Sequence, residues 1–157
     1  MGFRNEVLNK LKAGYPVLYV VAREEERAAR EIAAGCMEWA TIMVWSCTRG
    51  WQPLTGKNLA NENIGQGDGV TDPDEALGKI AKAPPEARAT WVMLNFHRFL
   101  ESAQTIQMVK DLARFCRGSG SKLVFVSNIL KLPDELQGDV TLVPFGLPDR
   151  DLLKGRL

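Results

Sequence analysis

The stretch Ala89-Thr90-Trp91-Val92-Met93-Leu94-Asn95-Phe96-His97-Arg98-Phe99-Leu100 decides the fold. Its apolar run from Trp91 to Leu94 reads as a strand buried on both faces, as in a parallel sheet. The run stops abruptly at Asn95, His97 and Arg98. Ligands of open α/β sheets sit outside the carboxyl ends of the strands, so these polar groups fall where a site would lie. In phosphate-hydrolysing ATPases an acid at such a place holds magnesium. Asn95 carries no charge and cannot replace it.

Working outward, strands and helices alternate. Phe3, Val7, Leu8 and Leu11 recur at helical spacing, and Gly14 with Pro16 ends that helix. Val17 to Ala22 is a β-branched and aromatic run, the first buried strand. A helix follows from about Glu24 to Trp39, with Glu24, Glu25 and Glu26 at the positive end of its dipole. Thr41 to Ser46 is the second strand. Asp72-Pro73 reads as an N-cap with proline at the first helical position, opening a helix that Pro84-Pro85 closes. The opening stretch is the third strand. Ser102 caps a helix whose buried stripe is Ile106, Val109, Leu112, Ala113 and Cys116. Lys122 to Val126 is the fourth strand, ending in Ser127-Asn128. Leu132 to Leu136 is a helical turn, Val140 to Phe145 the fifth strand, and Leu147-Pro148-Asp149-Arg150 the start of a final helix. This order predicts one α/β domain over residues 1–157, a three-layer α-β-α sandwich on a five-stranded parallel sheet. The polar stretch from Cys47 to Thr71 has glycines from Gly50 to Gly69 and reads as a loop, flexible over residues 51–71.

Composition narrows the function. The 157 residues are 45% hydrophobic and 25% charged, a globular balance. A formal net charge of +1 provides no global field for nucleic acid or anionic lipid. Cys36, Cys47 and Cys116 are three, widely spaced and in apolar contexts, which suits buried thiols in a reducing compartment. With one histidine, no metal site is expected. No apolar run is long enough for a signal or a membrane span, so a cytoplasmic setting is expected, or the plastid stroma for a plastid-encoded chain.

The first strand-to-helix turn, Val21-Ala22-Arg23-Glu24-Glu25-Glu26-Arg27, bears most directly on chemistry. A phosphate cradle needs glycine-rich backbone and a lysine. This turn has neither, and its three carboxylates oppose a triphosphate. The stretch Gly50-Trp51-Gln52-Pro53-Leu54-Thr55-Gly56-Lys57-Asn58 imitates a phosphate loop. It has five residues between its glycines where four are needed, and Asn58 replaces the hydroxyl that would bind magnesium. No nucleophile stands beside His97, which reads as structural or as a remnant with Asn95, Ser127 and Asn128. Arg49-Gly50-Trp51 reads either as an interaction loop, since Trp and Arg dominate hot spots, or as Trp51 folded back on the sheet.

These pieces resemble a family. Val124-Phe125-Val126-Ser127-Asn128, Leu132-Pro133-Asp134-Glu135-Leu136, Val140 to Phe145 and Leu147-Pro148-Asp149-Arg150 are similar to the second half of an AAA ATPase domain. With Ala13 to Val21, Glu24-Glu25-Glu26-Arg27, Val44 to Gly50, Phe96-His97-Arg98-Phe99 and Leu130 to Pro133, the chain resembles the N-terminal degenerate AAA-like domain of the chloroplast-reading-frame and cyanobacterial type of AAA ATPase. The resemblance implies a strand order 5-1-4-3-2, no helical lid, and a catalytic AAA+ module after the domain. It also implies that the Walker A lysine, the Walker B acid and the arginine finger are missing, with Gly138-Asp139 where the finger would stand. The expectation is a non-catalytic assembly, partner-contact or regulatory domain without a cofactor, ATP and magnesium belonging to the catalytic module. Expected contacts are Arg49, Gly50, Trp51 and Arg27, towards copies of itself, the catalytic module or a protein substrate. The alternative is a residual nucleotide-binding regulator that does not hydrolyse.

Overall fold

The computed structural model describes residues 2–56 and 67–145. The final helix expected to start at Leu147-Pro148-Asp149-Arg150 and residues 57–66 of the expected loop lie outside the described residues, and the expected absence of a helical lid likewise concerns residues outside them.

Among the described residues the four α-helices are α1 (Phe3–Lys12), α2 (Glu25–Cys36), α3 (Pro73–Ala81) and α4 (Ala103–Arg117), and the strands are β1 (Val17–Val21), β2 (Thr41–Ser46), β3 (Gly50–Leu54), β4 (Ala89–Leu94), β5 (Ser121–Ser127) and β6 (Thr141–Pro144). The helix boundaries follow local chemistry. Gly14, just past the end of α1, takes a left-handed φ of 95°. Asp72 accepts from the Glu75 amide at 3.0 Å to open α3, and Ser102 accepts from the Thr105 amide at 3.4 Å to open α4.

The strands form one sheet in the order β3-β2-β4-β5-β1-β6. Five of them, β2, β4, β5, β1 and β6, are parallel and run in the expected 5-1-4-3-2 sequence. The expectation of a purely parallel, five-stranded sheet is corrected. A sixth strand, β3, pairs antiparallel with β2 from Ser46↔Gly50 to Ile42↔Leu54. It occupies the start of the stretch expected to be a flexible loop. A three-residue turn, closed by the Arg49 amide on the Ser46 carbonyl at 3.3 Å, makes the hairpin, and Gly50 supplies the φ of 84° that ends such turns. Pro53 is tolerated because β3 is an edge strand.

Alternation along the central strands sorts the core into two layers. Leu18, Val20, Val92, Val124 and Val126 face α1 and α2, meeting Val7, Ile32 and Ala33. Tyr19, Met93, Leu123 and Phe125 face α3 and α4, meeting Leu77, Val109 and Leu112. Both faces of β1, β4 and β5 are thus covered, which explains their near-continuous apolar sequence. The sandwich brings the carboxyl ends of the parallel strands to one rim.

Candidate functional site at the carboxyl rim of the sheet

Asn95 ends β4 in the left-handed region, with φ 55° and ψ 36°. It is the only non-glycine residue with positive φ among the described residues, and asparagine tolerates that conformation better than most. Besides its carbonyl, which accepts from the Arg98 amide at 3.5 Å, three hydrogen bonds hold it to other elements. Its backbone amide donates to the Val126 carbonyl at 2.7 Å, its side-chain Nδ2 donates to Glu25 Oε1 at 2.9 Å, and its Oδ1 accepts from the Asn128 amide at 3.4 Å. One uncharged side chain therefore ties the ends of β4 and β5 to the start of α2. An aspartate could not donate to Glu25, so the amide and the carboxylate are chemically matched.

The other two carboxylates of that turn have partners of their own. Glu24 Oε1 lies 3.4 Å from Arg27 Nη1 in an exposed pair, and Glu26 Oε2 lies 3.6 Å from Arg49 Nη2. Arg49 also donates from Nε to Ser46 Oγ at 3.4 Å. The acidic start of α2 is thus compensated on the rim itself, partly by the dipole of its own helix.

His97 and Ser127 sit beneath this rim. His97 is 6% exposed, and burial together with the charges of Arg98 and Lys131 holds its imidazole below the usual value of 6.5, against an opposing pull from Glu25. Its Nδ1 and the Ser127 Oγ are buried with no hydrogen-bond partner among the described residues. Ser127 alternates with Val126 on β5 and so faces the α3–α4 layer, away from α2. Asn95 and Asn128 therefore meet, whereas Ser127 lies on the other side of the strand from α2. A largely apolar cleft of about 540 Å³ opens beside the same turn, lined by Val21, Ala22, Arg23, Glu24, Asn128, Leu142, Pro144 and Phe145. No group of three acidic, cysteine or histidine side chains among the described residues is placed to hold a metal ion.

The expected contact loop is corrected in part. Arg49 is on the rim, a third exposed, and Arg27 is largely exposed. Trp51 is 2% exposed, packed edge-on against Trp91 at 5.0 Å between ring centres, with its indole N–H on the Ala76 carbonyl at 3.2 Å. Gly50 is buried beside Asp68 and Gly69. Neither Trp51 nor Gly50 presents a surface to a partner, because the hairpin folds the indole into the α3–α4 core. Sequence reading missed Asp68, which fastens this region. Asp68 Oδ1 accepts from the amides of Trp51 at 2.9 Å and Val70 at 3.0 Å, and Oδ2 pairs with Lys79. The spacing of a lone Asp between Gly67 and Gly69 was the available signal, since aspartate in glycine-rich turns commonly accepts from nearby amides.

The comparisons agree with this architecture. The chain is 28% identical over 158 residues to the AAA domain-containing protein ycf46 of Guillardia theta, which covers 100% of this chain and 30% of that protein. It is 26% identical over 148 residues to its counterpart in Trieres chinensis, covering 94% of this chain and 29% of that one. The chain therefore spans less than a third of the length of these curated relatives. In fold it is similar to a chain in the structure of Drosophila ORC bound to AT-rich DNA and Cdc6, with a TM-score of 0.50, 13% identity, and coverage of 91% of this chain and 54% of that one. The sequence profile described as "SpoVK-like AAA ATPase, N-terminal domain" matches residues 3–145, and the chain belongs to that family.

Proposed function

We propose that this domain is a non-catalytic AAA-like module that serves assembly, partner contact or regulation within a larger AAA ATPase. The observation that carries this reading is the start of α2. A helix beginning at the end of β1 is where an α/β fold of this kind receives a phosphate, because amides and dipole converge there. Here Glu25 stands at that helix start, held at 2.9 Å by the Asn95 amide, with Glu24 and Glu26 beside it. A triphosphate approaching the turn would meet three carboxylates and no lysine. Nucleotide and magnesium belong to a catalytic module elsewhere in the longer protein, and the domain itself needs no cofactor. Arg49 and Arg27, the rim cations, are the side chains of the expected contact set that a partner protein can reach. Binding of nucleic acid is not part of this reading, because the chain's net charge is only +1. No helix among the described residues is long and apolar enough to cross a membrane, and a cytoplasmic or stromal setting is part of the proposal.

Calorimetric titration of the chain with ATP and magnesium should give no binding heat, and a low-micromolar constant would overturn the reading. A second reading, a nucleotide-binding regulator without hydrolysis, draws on Ser127 and His97, whose buried polar atoms lack partners among the described residues. It predicts nucleotide retained through purification, and loss of that nucleotide on Ser127→Ala.

A further inference from the structure

Three of the four large apolar side chains exposed among the described residues lie close together in the fold. Leu130 is 56% exposed, Ile129 is 51% and Leu142 is 50%. Leu130 and Leu142 line one cleft of about 480 Å³ with Tyr19, Leu132 and Val140. Leu142 also forms the wall shared with the 540 Å³ cleft, whose lip carries Pro144 and Phe145. Local bonds hold the segment that displays these groups. Tyr19 Oη donates to the Ile129 carbonyl at 2.7 Å and accepts from the Lys131 amide at 3.3 Å, and Lys131 Nζ reaches Glu101 Oε2 at 2.6 Å. The patch is built, not a loose loop. At the mouth of the larger cleft Arg23 is exposed and has no ion-pair or hydrogen-bond partner among the described residues.

We propose that this surface is the docking face for the module that follows the domain in the longer members of the family. The idea rests on reading the domain as a contact module and names the contact. The described chain reaches Phe145 on the lip of the cleft, beside the patch. This chain covers 30% of the Guillardia theta protein, so some 70% of that relative lies outside the matched part, and the family model it matches is that of an N-terminal domain. A module carried on the same polypeptide meets the patch intramolecularly, at an effective concentration that reaches about millimolar for a short flexible linker, an advantage that a separate molecule lacks. A second copy is the weaker occupant for another reason: β6 is four residues long and carries Pro144, which blunts edge-to-edge pairing. The occupant's complementary face is aliphatic, with a carboxylate opposite Arg23.

The test uses the protein expressed from its complete reading frame, with a benzophenone amino acid placed in turn at positions 130, 142 and 15. Tyr15, also exposed, is the control because it precedes β1 and lines neither cleft. Irradiation from 130 and 142 should give cross-links to residues beyond 157 in the same molecule, few from 15, and fewer when Arg23→Glu is added. Cross-links between two copies, cross-links equal from all three positions, or a reading frame that stops at Leu157 would each overturn the proposal. None of these outcomes bears on ATP binding, so the contact can fail while the non-catalytic reading stands.

Discussion

The two edges of the sheet are finished in opposite ways. At the β3 edge every large side chain is committed: Trp51 is packed on Trp91, Trp45 donates its indole N–H to the Val70 carbonyl at 2.7 Å, and Asp68 gathers the backbone between them. At the β6 edge Leu142 stands half exposed, with Leu130 and Ile129 beside it. The glycine-rich, polar segment made the closed edge, and the apolar segment left the open one. Composition therefore says little about which edge is closed. What decides is whether a turn aims the apolar groups inward and whether a polar side chain collects the amides left over.

Removing Trp51 attacks the closed edge most directly. Trp51→Ala deletes a buried indole and leaves the Ala76 carbonyl without its donor, so it should cost about 3–5 kcal/mol by urea unfolding. A cost below about 1 kcal/mol would return Trp51 to the surface and dissolve the contrast. Asp68→Ala should cost less, on the order of 2–3 kcal/mol, by stranding the Trp51 and Val70 amides. Its pH dependence gives a sharper signature. Partial burial pushes the Asp68 carboxyl up, but hydrogen bonds from Lys79, Val70 and Trp51 outweigh it and hold the group below its usual 3.8. A carboxyl depressed in the folded state stabilises above its unfolded value and loses that contribution as pH falls through the folded one. The wild-type chain should therefore lose stability relative to Asp68→Ala below about pH 4, and parallel unfolding curves from pH 7 to 3 would contradict the clamp.

The difference between the edges also explains what could be read from the sequence. The five parallel strands were legible because burial on both faces imposes continuous apolar runs, and the helix starts at Asp72 and Ser102 because capping is local chemistry. The sixth strand was not. Gly50 and Pro53 both argue against a strand taken alone, and only pairing with β2 makes them acceptable as a hairpin glycine and an edge proline. Ser46 to Gly50 did carry the hairpin spacing, outweighed by Gly56, Gly65, Gly67 and Gly69 further along the same stretch. At the rim, the unusual residues were visible: three successive glutamates, and an asparagine at the place where phosphate-hydrolysing ATPases carry an acid. Their pairing was invisible, because Glu25 and Asn95 are 70 positions apart and meet only through the sheet.

That pairing lies in the middle of the rim, between the two edges, and its disruption should rank third in size. Asn95→Asp replaces the donor to Glu25 with a second acceptor and sets two carboxyl groups within hydrogen-bonding distance. A cost on the order of 1–2 kcal/mol at neutral pH is expected. Like charges raise one of the two carboxyl pKa values above its unfolded value, so the penalty should shrink as pH falls and that group takes up a proton. Adding Glu25→Gln to the variant restores a donor facing an acceptor and should recover most of the loss. Failure of the double variant to recover would mean that the left-handed turn at position 95, not the match with Glu25, sets the requirement for asparagine.

The smallest effect belongs to the open edge. Leu142→Lys and Leu130→Asp remove apolar groups that are already half in water, so each should change the stability of this chain by no more than about 0.5 kcal/mol. Both variants should bind less of a dye that reports exposed apolar surface. A small change at Leu142 beside a large one at Trp51 would mean that the two edges differ in commitment and not in hydrophobicity. If Leu142→Lys instead cost as much as Trp51→Ala, the β6 edge would be closed within this chain, and the Leu142 cleft would be core, not surface.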